Sequence, residues 1–99
     1  METIQKSLLL RLVAKPGKAT ELQQLLINGL QWVNEEPKTI NWYAFKISEN
    51  TFGIFDTFPD EDGLHQHHTG KLAQAITKAA PHLLAESPVI EATEILAWK

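Results

Sequence analysis

Between Ser7 and Ala14 the chain reads Ser-Leu-Leu-Leu-Arg-Leu-Val-Ala, then meets Lys15-Pro16-Gly17-Lys18. An apolar run of this length with a turn signal behind it predicts a strand. From about Lys18 the period changes, and Leu22, Leu25, Leu26, Gly29, Leu30 and Val33 fall along one stripe of a helix. Thr20 and Gln23 have capping-box spacing at its start, while Pro16 offers an earlier one. Glu35-Glu36-Pro37 ends the helix, because a proline disfavours helical geometry in the residue before it.

Two aromatic-rich segments follow, Ile40 to Ile47 and Phe52 to Phe58, joined by Ser48-Glu49-Asn50-Thr51, which predicts a hairpin. Pro59-Asp60-Glu61-Asp62 then starts a second helix, with Asp60 as N-cap and acidic neighbours favoured by the helix dipole. This helix carries Leu64, Leu72, Ala75, Ile76 and Ala79, breaks near Thr69-Gly70, and ends between Pro81 and Glu86. After Ser87-Pro88, the segment Val89 to Trp98 reads as a last strand. The order βαββαβ, without repeat or linker, predicts a single α+β domain over residues 1–99: a ferredoxin-like, four-stranded antiparallel sheet with helices on one side.

A turn symmetric about Glu49 and Asn50 pairs Ile47 with Phe52, Phe45 with Ile54, Tyr43 with Asp56 and Asn41 with Phe58. That parity puts Tyr43, Phe45, Asp56 and Phe58 on one face. The other face then holds Ile40, Trp42, Ala44, Gly53, Phe55 and Thr57, and is also largely apolar. A bulge in the turn would exchange the two sides. The first strand is apolar on both sides too, with Leu8, Leu10 and Leu12 against Leu9 and Val13. Two helices cover only one face. At about 25 cal/mol per Å² of apolar area, a bare second face forfeits several kcal/mol of a marginal stability, so a homodimer buried through Trp42, Ala44 and Phe55 is expected.

Composition narrows the partners. The 99 residues are 43% hydrophobic and 21% charged with a net charge of −3, and the scattered Lys and Arg residues offer no footprint for a phosphate backbone. Nucleic acid is therefore not an expected partner. There is no Cys, which removes disulfides and thiolate chemistry and fits a reducing compartment. No stretch resembles a signal peptide or a membrane span, so a cytoplasmic protein without membrane contact is expected.

Four positions hold His65, His67 and His68, and imidazoles serve as acid, base or metal ligand near neutral pH. A zinc site needs three or four convergent ligands, and these spacings supply no clear set, so no metal is expected. Asp56 lies inside an apolar strand, where an ionised carboxylate needs a partner; Tyr43 across the hairpin or a histidine of the second helix could supply one. There is no phosphate-binding glycine loop, nucleotide fingerprint or serine nucleophile elbow, and no cofactor is expected.

Several features in order resemble the antibiotic biosynthesis monooxygenase family. They are Ala14-Lys-Pro-Gly17 after the first strand, Glu36-Pro37 before an aromatic strand, and Asp56 within Phe52 to Phe58. Asp60-Glu61 with a His early in the second helix and Leu83-Leu-Ala-Glu-Ser-Pro88 before the last strand complete the pattern. The resemblance spans nearly the whole chain and implies a dimeric α+β barrel, two sheets face to face, with a pocket between sheet and helices in each subunit. The haem-degrading branch uses an Asn, a Trp and a His at positions that correspond here to Leu10, His67 and Thr77, so haem degradation is not implied. His67 itself matches a histidine common in the second helix of the wider family.

The resulting expectation is a small cofactor-independent monooxygenase for a planar hydroxylated aromatic or quinol. His67 and Asp56 are its expected catalytic groups, and Tyr43, Phe45, Phe58 and His68 its expected substrate contacts. His67→Ala or Asp56→Asn should then reduce turnover by ~10²-fold with the fold intact. The competing expectation is a non-catalytic dimeric module that binds a small apolar molecule or a protein.

Overall fold

The structure, a computed structural model, describes residues 3–99. Its elements run β1 (Lys6–Val13), α1 (Ala19–Val33), β2 (Asn41–Lys46), β3 (Thr51–Phe58), α2 (Glu61–His68), α3 (Lys71–Leu83) and β4 (Val89–Thr93). The strands form one antiparallel sheet in the order β2-β3-β1-β4. This is the α+β, ferredoxin-like arrangement implied by the element order.

The two central strands, β1 and β3, are the most buried, and their Leu12, Phe52, Ile54 and Phe58 are sealed from water. Helix α1 turns Leu22, Leu26, Gly29 and Val33 onto them, at spacings of four, three and four. Helix α3 adds Leu72, Ile76 and Leu83. The core lies between one sheet face and these helices.

Several boundaries depart from the sequence pattern for identifiable reasons. Helix α1 begins after Lys18 with no side-chain cap, so Thr20 sits inside its first turn and the capping box is not used. Asp60 does cap α2, accepting from the Gly63 amide at 2.8 Å. The second helix breaks at Thr69-Gly70, giving α2 and α3. Strand β4 stops at Thr93, short of Trp98, because the ladder with β1 ends at the pair Ser7 and Thr93 near the start of β1. Leu96 and Trp98 beyond it are exposed.

The hairpin register is one residue away from the symmetric expectation. The Ile47 and Ser48 amides both donate to the Thr51 carbonyl, at 2.8 and 3.2 Å. Two residues thus oppose one, a bulge that shifts every pair beyond it. Asp56 faces Trp42, Ile54 faces Ala44 and Phe55 faces Tyr43. Trp42 and Ala44 therefore lie on the helix-covered face, while Tyr43, Phe45 and Phe55 lie on the open one with Leu9 and Val13. Gly53 belongs to this open face, and its missing side chain leaves the space that the Phe45 ring fills. Among the described residues, no helix is long and apolar enough to cross a membrane.

Candidate functional site

Asp56 points from the middle of β3 to the helix side, between Leu8 of β1 and Trp42 of β2. Its side chain is 4% exposed, and a lone carboxylate so buried would be strongly unfavourable. Helix α2 supplies the compensation. The Asp60 cap fixes its first turn, and Lys38 ties Asp60 and Asp62 to the preceding loop at 3.2 and 3.1 Å. Two turns on, His67 reaches down to the sheet, and its Nε2 lies 2.9 Å from Asp56 Oδ2.

The other ring nitrogen is also paired with a carboxylate. His67 Nδ1 lies 2.7 Å from Glu36 Oε1, and the Thr39 hydroxyl donates to that same oxygen at 2.7 Å. Glu36 is placed by the turn that winds off α1, where its amide donates to the Val33 carbonyl. Its Oε2 is buried without a hydrogen-bond partner among the described residues. That oxygen lies 2.7 Å from where a Cβ at Gly70 would be, so a side chain at the break between α2 and α3 would displace the carboxylate. The Phe58 ring packs against the imidazole at a centroid distance of 5.2 Å.

With a carboxylate at each nitrogen, the imidazolium donates both N–H groups in short charge-assisted bonds. Burial opposes the charge, but the bonds and charges of Asp56 and then Glu36 outweigh it and raise the His67 pKa above the ordinary imidazole value. With His67 protonated between two ionised carboxylates, the buried triad carries a single net negative charge.

Asp56 and His67 close one end of a cavity of about 200 Å³ between the sheet and α3. Its walls are mainly apolar, from Leu8, Leu10, Ile54, Leu72 and Ile76. Pro88 and Ile90 form its rim at the β4 edge, where Ile90 is 57% exposed. Such an arrangement, an apolar cleft with a few convergent ionisable groups, suits a small aromatic ligand with a polar substituent.

Of the residues expected from sequence to form the site, Asp56, His67 and His68 line this cavity. Phe58 supports it from behind as a fully buried partner of the imidazole. Tyr43 and Phe45 do not belong to it. The hairpin bulge sends both to the opposite sheet face, with Tyr43 59% exposed, and the partner of Asp56 is His67. Leu10 and Thr77 line the cavity with His67, so the three positions that differ from the haem-degrading pattern all fall here. Glu36 was read as part of a helix stop and of the family pattern, not as a site residue. Its one local sign is Thr39, which orients its carboxylate from three residues on. Among the described residues, no three His, Asp or Glu side chains converge as metal ligands.

Neither a protein-family model nor a curated protein matches the chain. Solved structures do. A protein of unknown function from Nitrosomonas europaea, NE2512, is 39% identical, with a TM-score of 0.96 over 100% of this chain and 96% of that one. PA3566 from Pseudomonas aeruginosa is 17% identical with a TM-score of 0.85, over 98% of this chain and 99% of its own. A structure described as an antibiotic biosynthesis monooxygenase is 12% identical with a TM-score of 0.81, over 93% of this chain and 99% of its own. By its 39% identity the chain belongs to one family with the Nitrosomonas protein NE2512, a family built on the fold of the antibiotic biosynthesis monooxygenases.

Proposed function

We propose that the protein is a small oxygenase that removes a proton from a planar hydroxylated aromatic or quinol and leaves the electron-rich anion to react with dioxygen. The observation that carries this reading is the buried triad Glu36–His67–Asp56 at the closed end of an apolar cavity. The likeness in fold to an antibiotic biosynthesis monooxygenase points the same way.

Asp56 is the proton acceptor, because it lines the cavity while both nitrogens of His67 are engaged. When the substrate hydroxyl or an activated ring C–H passes its proton to Asp56, the imidazolium remains beside the new substrate anion and stabilises it. Proton transfer inside the site leaves its total charge unchanged. The substrate itself reduces dioxygen: at a ring CH₂ one oxygen atom becomes a carbonyl, and the other leaves as water with the two displaced hydrogens. The apolar walls keep bulk water from protonating the anion first.

The reading includes a homodimer formed through the open sheet face of Leu9, Val13, Tyr43, Phe45 and Phe55. Tyr43 and Phe45, 59% and 38% exposed, have no helix above them. An apolar face of this extent suits a second copy better than water.

Dioxygen uptake by the purified protein against a panel of quinols and anthrones tests the activity. Uptake with one labelled oxygen atom retained in the product is expected. No uptake with any member, while the ligands bind, would leave the cavity as a binding site and remove the oxygenase.

A further inference from the structure

Glu36 shapes the site without lining it. The cavity wall includes Asp56 and His67 but not Glu36, which stands behind the imidazole with its side chain 12% exposed. We propose that Glu36 determines the charge specificity of the cavity: by adding a second carboxylate to the His67–Asp56 pair, it admits uncharged hydroxyl donors and turns away ligands that carry a carboxylate. This rests on the reading of the cavity as the ligand site.

Without Glu36, the imidazolium and Asp56 would cancel and the closed end would be close to neutral. With it, one negative charge is left over in surroundings that screen poorly. Among the described residues, no free cation offsets this charge at the closed end. The His67 N–H groups are both taken, by Asp56 at 2.9 Å and Glu36 at 2.7 Å. His68, the other ionisable wall residue, is solvent-exposed, where water and salt screen it. A ligand carboxylate at the closed end would give up its hydration, find both His67 N–H groups taken, and meet like charge. A neutral phenol or quinol instead donates to Asp56, and its proton transfer adds no net charge to the site.

The test compares two ligands of nearly equal shape, 2-naphthol and 2-naphthoate, in binding titrations with the full chain. At about pH 5.5, below the ordinary imidazole value, the first is neutral, the second is an anion, and His67 stays charged. Wild type should prefer the naphthol. In Glu36→Gln, which keeps the shape and a hydrogen-bond acceptor, the ratio of the two affinities should fall by about tenfold, the effect of one charge across an imidazole at an effective dielectric near 20. Naphthol affinity itself should change little. The anion's preference for water is the same in both proteins, so the change in ratio isolates Glu36, and the His67 ring nitrogen shifts report that the imidazolium is retained.

An unchanged ratio in Glu36→Gln, with naphthol still bound, would overturn the proposal, as would a wild type that prefers naphthoate. If Glu36→Gln fails to fold, Asp56→Asn removes one negative charge from the same triad, and an unchanged ratio there also overturns it. Failure of either ligand to bind wild type would remove the ligand-site reading, a result distinct from binding without charge preference.

Discussion

Asp56 tolerates 4% exposure in the middle of an apolar sheet because His67 donates to it, and His67 tolerates burial because Glu36 stands on its other side. Each group makes the next acceptable. Removing the central one leaves two buried carboxylates facing a void, so His67→Ala should cost about 3–5 kcal/mol in denaturant unfolding. That replaces the sequence-based expectation that the fold would not notice this substitution. Asp56→Asn, nearly the same shape, is the variant that separates chemistry from folding.

The charge on His67 also gives stability a pH dependence with a definite sign. Its pKa is raised in the folded state, so its contribution is fully present below the unfolded value of about 6.5 and is lost as pH rises through the folded value. Melting temperature should therefore fall on going from neutral to alkaline pH, and His67→Gln should lack that component. An identical pH profile in the variant would contradict the assignment. Asp56 and His67 were legible in the sequence, the first as a carboxylate in an apolar strand, the second as a helical histidine in a recognisable position. Glu36 was not, because its bond to His67 spans 31 residues and depends on how α1 ends.

At the scale of elements, the break between α2 and α3 positions the triad. The sequence marked the break at Thr69-Gly70 but not its purpose, which is visible only once Glu36 Oε2 is found 2.7 Å from where a Gly70 Cβ would be. Gly70→Ala pushes hardest against the end of the Glu36 side chain, with the Gln66 and His67 carbonyl oxygens each 3.3 Å from the new Cβ, so the fold should survive while the Glu36 carboxylate swings away from His67. A His67 pKa that drops toward the ordinary value in ring nitrogen titrations is the expected result; an unchanged titration would show that the carboxylate needs no glycine there. The hairpin teaches a complementary lesson. Alternation identified both strands, yet one bulged residue at Ser48 reversed which aromatic residues of β2 lie on the helix-covered face, and composition of the turn carried no sign of it.

For the molecule as a whole, the slip moved residues between faces without removing the need for a partner. The open face still presents Leu9, Val13, Tyr43, Phe45 and Phe55, and apolar Leu96 and Trp98 extend past β4. Sedimentation should show a dimer at micromolar concentration, and Phe55→Lys, a charge at the centre of that face, should shift it to monomer. A wild-type monomer would contradict the assembly while leaving the cavity in place.

The central claim is that Asp56, backed by His67 and Glu36, takes a proton from a hydroxylated aromatic and so commits it to oxidation. Its most direct test is dioxygen uptake by wild type and Asp56→Asn side by side on a substrate found active in the panel, with folding of both verified by melting. Turnover should fall by ~10²-fold or more in the variant, the usual contribution of a positioned acid–base group, with substrate binding largely retained. Equal turnover by the two proteins would contradict the account.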